Sequence, residues 1–422
     1  MPRWVLPLVY TLSAVVAGLV VPRMEAALIP PLGLGVSSAA ALTMLSAIAS
    51  GMMALTAIVF SIAFVLVQFS AVTYSPRIAL RFANDRLLFH AMGMFAATFS
   101  YSLAAMAWVD RAERSNVPEL SCLLSVALLV ASLVVFTRLV QRLSDLQITN
   151  TLHEIGNTGR AAIEGMFADD SLPAGVRPAP PETALPPAGA PVQALHYVGP
   201  PATVQRLDIA ALVGLAEAAD GCIVMACSVG DTLNEGEPIL FLHGAAGPIA
   251  EARLRKAVCL GRERTVEQDP KYPIRLLVDI AIKALSPAIN DPTTAVQAID
   301  QVEDLLRRLA RHDPEIGRFA GSSGAARLVI LMPTWDDYLS LALDEIRMFG
   351  AGSIQVLRRL RHTLMGLARM LGSDDPRAAS VALYLRHLDG FIERSPLDAM
   401  DKRTAGREDS QGLGLTREPR RG

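Results

Sequence analysis

No C-x-x-C pair occurs in this 422-residue chain, whose four cysteines, Cys122, Cys222, Cys227 and Cys259, are scattered. The seven histidines show no zinc-ligand spacing either, so no metal site is expected and the cysteines read as buried free thiols in a reducing compartment. An excess of charge of one sign is also lacking. With 39 Lys+Arg against 41 Asp+Glu, the formal net charge is -2, and no global basic field argues for nucleic acid. No Gly-rich phosphate loop, Ser/His/Asp set or metal signature supports an enzyme, and no cofactor is implied.

What the chain has in excess is apolar length. It is 51% hydrophobic, its mean hydropathy is +0.35, and nearly all of the excess precedes residue 141. Roughly 20 apolar residues cross a hydrocarbon core of ~30 Å, and stretches at 4–21, 37–72, 87–109 and 118–140 qualify. The first ends at Val-Val-Pro-Arg instead of a small-x-small cleavage site, so it reads as a span and not as a secretory leader. Arg77, Arg81 and Arg86 follow the second span, whereas Asp110, Glu113 and Glu119 outweigh Arg111 and Arg114 after the third. By the positive-inside rule both termini are expected in the cytoplasm, together with the large C-terminal region. His90 lies about one turn from Arg86 and reads as interfacial, and "YSPRIALRFANDR" suits a short helix at the headgroups.

The second span is too long for a simple crossing, since a helix over 37–72 would reach ~50 Å. Thr43, Ser46, Ser50, Ala54, Ala57, Ser61, Phe64 and Gln68 recur at spacings of three or four and share one helical face. Two readings fit this stripe. The small residues let helices pack closely, with hydroxyls bonded back to the i−4 carbonyl. Alternatively, Thr43, Ser46, Ser50, Ser61 and Gln68 line a water-filled path where several protomers meet.

The rest reads as a cytoplasmic α+β region. Residues 142–168 continue the fourth span as a helical stalk, with Gly156 and Gly159 as its candidate ends. Residues 169–193 form a Pro/Ala-rich linker. Residues 194–244 predict a small β-rich module, in which "VGDTLNEGEPILFLH" resembles half of a biotinyl/lipoyl-type barrel without the carrier lysine. Residues 245–395 are mainly helical, with "RLVILM" as a lone strand, and 396–422 read as a disordered tail. The expected fold is therefore an α-helical membrane protein of four transmembrane helices, with a cytoplasmic α+β region that contains a small β-barrel-like module and a helical C-terminal part; the six segments of the chain are 1–141, 142–168, 169–193, 194–244, 245–395 and 396–422.

The densest polar punctuation is "ALSPAINDPTTAVQAID", 284–300. Pro287 ends one helix, and Asp291 with Pro292 starts the next as N-cap and first helical residue, so the stretch reads first as a hinge. Upstream, "GRERTVEQDP" supplies Arg264, Thr265, Gln268 and Asp269. Folded against Asn290 and Asp291, these would form a polar pocket for a small ion or anion.

Four strings, "QFSAVTYSPRIALRFANDR", "GRERTVEQDP", "LVDIAIKALSPAINDPTTA" and "VGDTLNEGEP", together with the four spans, resemble the domain of unknown function 2254 family of predicted bacterial membrane proteins. The likeness runs over 5–393. The chain departs from the family pattern at Ala288 and Thr293, where Gly and Phe are expected, and at Tyr272-Pro273 in place of Phe-Gly. The resemblance implies membrane location and this architecture, and no established activity. The resulting expectation is a homo-oligomeric channel or conductance pathway in the lipid bilayer with a cytoplasmic assembly or sensing domain. The rival is a non-conducting scaffold or sensor that recruits a cytosolic partner.

Overall fold

The computed structural model describes residues 5–28, 35–73, 86–109, 118–144, 148–167, 176–179, 189–312 and 317–409. The chain divides into two compact units, 1–147 and 148–422. The headgroup helix expected over 75–85 and the residues beyond 409 lie outside the described residues.

The first unit holds four helices, α1 (Val5–Leu28), α2 (Ser38–Thr73), α3 (Arg86–Val109) and α4 (Glu119–Ser144). Each contains a stretch long and apolar enough to cross a membrane. A charge-free run without water to satisfy its backbone has only the helix available to it. Ser37 caps α2, its Oγ accepting from Ala40 N at 3.2 Å. The third helix is central, packing against α1, α2 and α4. It approaches α1 closely because Gly18 has no side chain: a Cβ there would sit 2.7 Å from Ala104 Cβ and 2.9 Å from the Tyr101 carbonyl.

The second unit opens with α5 (Ile148–Phe167), then β1 (Arg177–Pro178), β2 (Gln193–His196), β3 (Ala202–Leu207), α6 (Ile209–Ala218), β4 (Cys222–Met225), β5 (Thr232–Leu233) and β6 (Pro238–His243). It continues through α7 (Glu251–Lys256), β7 (Val258–Gly261), α8 (Lys271–Ala284), α9 (Pro292–Leu309), β8 (Arg318–Ala320), β9 (Ala326–Val329), α10 (Trp335–Phe349), α11 (Ile354–Leu371), α12 (Arg377–Arg394) and α13 (Ala399–Ala405). Asp291, the cap read from sequence, accepts from Thr294 N; in addition Thr334 forms a capping box with Asp337, and Ser353 accepts from Val356 N.

The β-barrel-like module is corrected. Among the described residues there is no closed barrel; there are two open sheets, one of order β1-β8-β9-β4-β6-β2 and one of order β5-β3-β7. Strands from 194–244 are divided between them, and each sheet is completed by strands from outside that span. The Arg327 strand is not lone: β9 pairs parallel to β4 and antiparallel to β8. Within the segment expected to be mainly helical, residues 258–261 form a further strand, β7, paired to β3. The physical reason is edge satisfaction, since a short strand with a free edge leaves backbone groups unpaired until a distant strand covers them.

Two further expectations differ from the structure. Gly156 and Gly159 do not end a helix; α5 runs through both, and a Cβ on Gly159 would lie 2.7 Å from Leu305 Cδ1. Part of the expected tail is ordered: Asp398 caps α13, Ala405 is buried, and buried Asp409 pairs with Arg358 at 3.5 Å.

Candidate functional site

In the first unit, α2 separates its two kinds of residue by face. Ala41, Leu45, Ile48, Ala49, Met52 and Val59 are buried inside the protomer. Thr43, Ser46, Ser50, Ala54, Ala57, Ser61 and Phe64 are exposed on the opposite face. At ~100° per residue the two groups are centred about half a turn apart. The small pair Ala47 and Gly51 also faces outward, and a Cβ on Gly51 would meet nothing within 4 Å. Thr43 Oγ1 bonds back to the Ala39 carbonyl at 2.8 Å. Gln68 lies on α2, and its side chain is outside the described residues.

Elsewhere in this unit the arrangement is the reverse. Thr98 and Ser102 of α3, and Ser121, Ser125 and Ser132 of α4, are buried, while Leu123, Val130, Leu133 and Val134 point out. Thr98 and Ser132 share a hydrogen bond of 2.9 Å across the two helices. Ser102 Oγ and Ser125 Oγ have no partner among the described residues. Hydroxyls inside and apolar side chains outside is the pattern that lipid favours; α2 departs from it by exposing a row of hydroxyls among its outward apolar residues.

Two buried carboxylates tie helix ends and loops together. Glu25 of α1 accepts from Leu120 N at 2.5 Å, Ser121 N at 2.9 Å and Ser121 Oγ at 2.8 Å, a negative charge set on the N-terminus of α4. Glu119 Oε1 accepts from Gly35 N at 3.1 Å. Sequence reading passed over Glu25 and over the inward hydroxyls, although the i, i+4 spacing of Thr98–Ser102 and Ser121–Ser125 was legible. His90 Nδ1 meets the Tyr10 hydroxyl at 3.2 Å in an exposed setting.

In the second unit, part of the expected polar pocket comes together. Asp269 is fully buried and ion-paired through Oδ2 with Arg264 Nε. Arg264 also lies over the Tyr272 ring, 5.7 Å from its centroid. Gly230, at φ +93, gives the Arg264 guanidinium room; a Cβ there would lie 2.5 Å from Nη2. Gln268 bridges both backbone groups of Leu207, accepting from N at 2.9 Å and donating to O at 3.2 Å. Thr265 Oγ1 donates to the Gln205 carbonyl at 3.2 Å.

Asn290 and Asp291 stand apart from this group. Asp291 accepts from Thr294 N at 3.1 Å and Thr294 Oγ1 at 2.6 Å, and its own N–H reaches the Ala284 carbonyl at 2.8 Å. Asn290 takes the left-handed turn position, φ +51, which an Asn tolerates. No hydrogen bond or ion pair among the described residues joins these two to Arg264, Gln268 or Asp269. The stretch 284–300 is a helix–turn–helix joint between α8 and α9, which pack on each other.

Instead, Gln268 and Asp269 border a cavity of about 290 Å³. Its wall is mainly apolar, with Phe167, Leu207, Ile209, Phe319, Ile330 and Tyr338 among the lining residues. Burial, then the nearby charges of Asp269 and Asp337, push the Tyr338 phenol well above its ordinary value. The thiols of Cys222 and Cys227 are buried and pushed up to about 11 and about 12, burial being the main cause in each; Cys259 is exposed. No group of His, Cys, Asp or Glu among the described residues could hold a metal ion.

Four helices long and apolar enough to span a membrane, followed by a separate α+β unit, define the class as a polytopic membrane protein. The chain belongs to the family described as "Predicted membrane protein", the domain of unknown function 2254, which it matches over residues 2–365. It is 27% identical over 345 residues to an uncharacterized protein of Mycobacterium bovis and, equally, to one of Mycobacterium tuberculosis. Each match covers 78% of this chain and 64% of the relative, so the chain spans less than two thirds of these relatives' length. No solved structure matches it significantly.

Proposed function

We propose that this chain is the protomer of an oligomeric conductance pathway in the inner membrane, built around α2, with the second unit as a cytoplasmic assembly or sensing domain and both termini on that side. The observation that carries this reading is the outward face of α2: Ala41, Leu45, Ile48, Met52 and Val59 point into the protomer, and Thr43, Ser46, Ser50 and Ser61 point out, beside apolar Met53, Ile58, Phe60 and Phe64. Lipid gains nothing from hydroxyls and small residues, whereas a second helix or a file of water does. Copies of α2 meeting around an axis would supply both. The same face in a non-conducting scaffold would only pack helices, and the cavity in the second unit favours that rival in one specific form, a ligand-responsive sensor.

The two readings separate by experiment. The mass of the purified chain in a lipid disc is expected to correspond to several protomers. Ser50→Leu is expected to keep that mass and cut ion flux in reconstituted vesicles. A monomeric mass, or unchanged flux in a correctly assembled Ser50→Leu protein, would remove the conductance pathway and leave the sensor.

A further inference from the structure

We infer that the cavity of the second unit binds a small uncharged organic molecule: an apolar or aromatic body with one hydrogen-bonding oxygen, as in an alcohol or ketone, that meets the Tyr338 hydroxyl. This binding stands whether or not the chain conducts.

The charges on the wall cancel. Asp269 borders the cavity, but its side chain is 0% exposed and ion-paired with Arg264, so the carboxylate is neutralised within the fold and sealed from a ligand. Glu267 and Lys271 also border the space, and their opposite charges offset one another. An ion entering the cavity would lose its water and find no net opposite charge in exchange. The polar side chains are largely engaged as well: the Gln268 amide is held by both backbone groups of Leu207, and the Ser228 hydroxyl donates to the Leu331 carbonyl at 2.6 Å. The Tyr338 hydroxyl is different. Tyr338 lines the cavity and is 1% exposed, and its hydroxyl has no hydrogen bond among the described residues. Unlike Asp269 Oδ1, that oxygen is not sealed, and its accessible surface opens on the cavity that the ring lines.

The phenol also stays protonated, since burial and the charges of Asp269 and Asp337 push it well above its ordinary value. It can donate one hydrogen bond and accept another, which suits an uncharged oxygen. The same two negative charges disfavour an anion beside it. The rest of the ligand is set by a wall of hydrocarbon and aromatic surface, with Phe167, Leu207, Ile209, Phe319 and Ile330 among its residues. A space of about 290 Å³ is at the small end of ligand pockets, and it admits an apolar body with a single polar end.

The test uses the full chain in lipid discs and four probes of related shape, titrated calorimetrically against loaded and empty discs: 4-phenyl-2-butanone, ethylbenzene, 3-phenylpropionate and 2-phenylethylammonium. The ketone is expected to bind saturably, and the two ions about tenfold or more weakly than the ketone. Tyr338→Phe keeps the ring and removes the hydroxyl. It is expected to weaken the ketone about three- to tenfold and leave ethylbenzene unchanged, whereas a merely structural hydroxyl would move both probes or neither. Val229→Trp, a half-buried wall residue between β4 and β5 enlarged into the space, is the second variant. It is expected to weaken both neutral probes about tenfold or more with an unaltered unfolding transition. Either ion binding as tightly as the ketone, no saturable ketone binding at millimolar concentration, full ketone affinity in Tyr338→Phe, or full affinity for both neutral probes in a folded Val229→Trp protein would each overturn the proposal.

Discussion

Glu303 illustrates how single side chains hold the second unit together. It is buried among α9 and α11, where Arg359 Nη2 lies 2.6 Å from Oε2, Arg307 Nε donates to Oε1 at 2.7 Å, and Thr363 Oγ1 donates to Oε2 at 3.1 Å. Burial by itself would raise the carboxyl; Arg359 and Arg307 outweigh it and hold the group below its ordinary 4.5. A depressed folded value means that this stabilisation is complete above the unfolded-state value and fades as pH falls through the folded one. The unfolding temperature is therefore expected to drop on acidification below 4.5, and Glu303→Gln to flatten that drop. At neutral pH, Arg359→Met takes one of two guanidinium partners from the buried carboxylate and is expected to cost about 1–3 kcal/mol, read by denaturant unfolding in detergent. If Arg359→Met were neutral, the pair would contribute nothing that its neighbours do not.

At the scale of elements, the joint between α5 and the α8–α9 pair is where side-chain size decides. Leu152, Ile155 and Ile163 of α5 are buried, and Gly156 and Gly159 face Gln301, Leu305 and Pro273. Gly159→Leu places a side chain where Leu305 already sits, and overpacking of this kind is expected to cost about 1–3 kcal/mol, checked by the thermal transition against the exposed control Gly165→Ala. An undiminished transition would show that α5 docks less tightly than these distances imply. Helix starts are largely legible in sequence because a cap is local: Asp208, Asp291, Thr334 and Ser353 each accept from the backbone N–H three residues on. Sheet partners were not, because β4 finds β9 about 100 residues later, and neither strand carries a signal naming the other. Gly156 and Gly159 misled for a related reason. Glycine marks both helix ends and close helix approaches, and only the facing helix distinguishes them.

For the whole molecule, the division at residue 147 has a direct consequence. The second unit has its own apolar core, in which Leu195, Val204, Leu212, Ile223, Leu240 and Leu328 draw both sheets and α6 together. Residues 148–422 expressed alone are expected to fold and unfold cooperatively without detergent, as read by circular dichroism and calorimetry. Failure to form a cooperative unit would show that the spans contribute to that core. The candidate site was partly legible at this scale. Arg264, Gln268 and Asp269 lie within six residues of each other, so their proximity was read from the string. Phe167, Phe319 and Tyr338 reach the same cavity from distant points of the chain, which no local pattern announces.

Sequence alone determined the four spans, the cap at Asp291 and the stripe on α2, because apolar length, capping chemistry and 3.6-residue periodicity are written in neighbouring residues. Only the tertiary structure decided that the stripe faces outward, that the predicted barrel is two open sheets, and that Gln268 and Asp269 fall beside a mainly apolar cavity. Each of those depends on which surface another segment covers, and coverage is a property of packing between residues far apart in the chain.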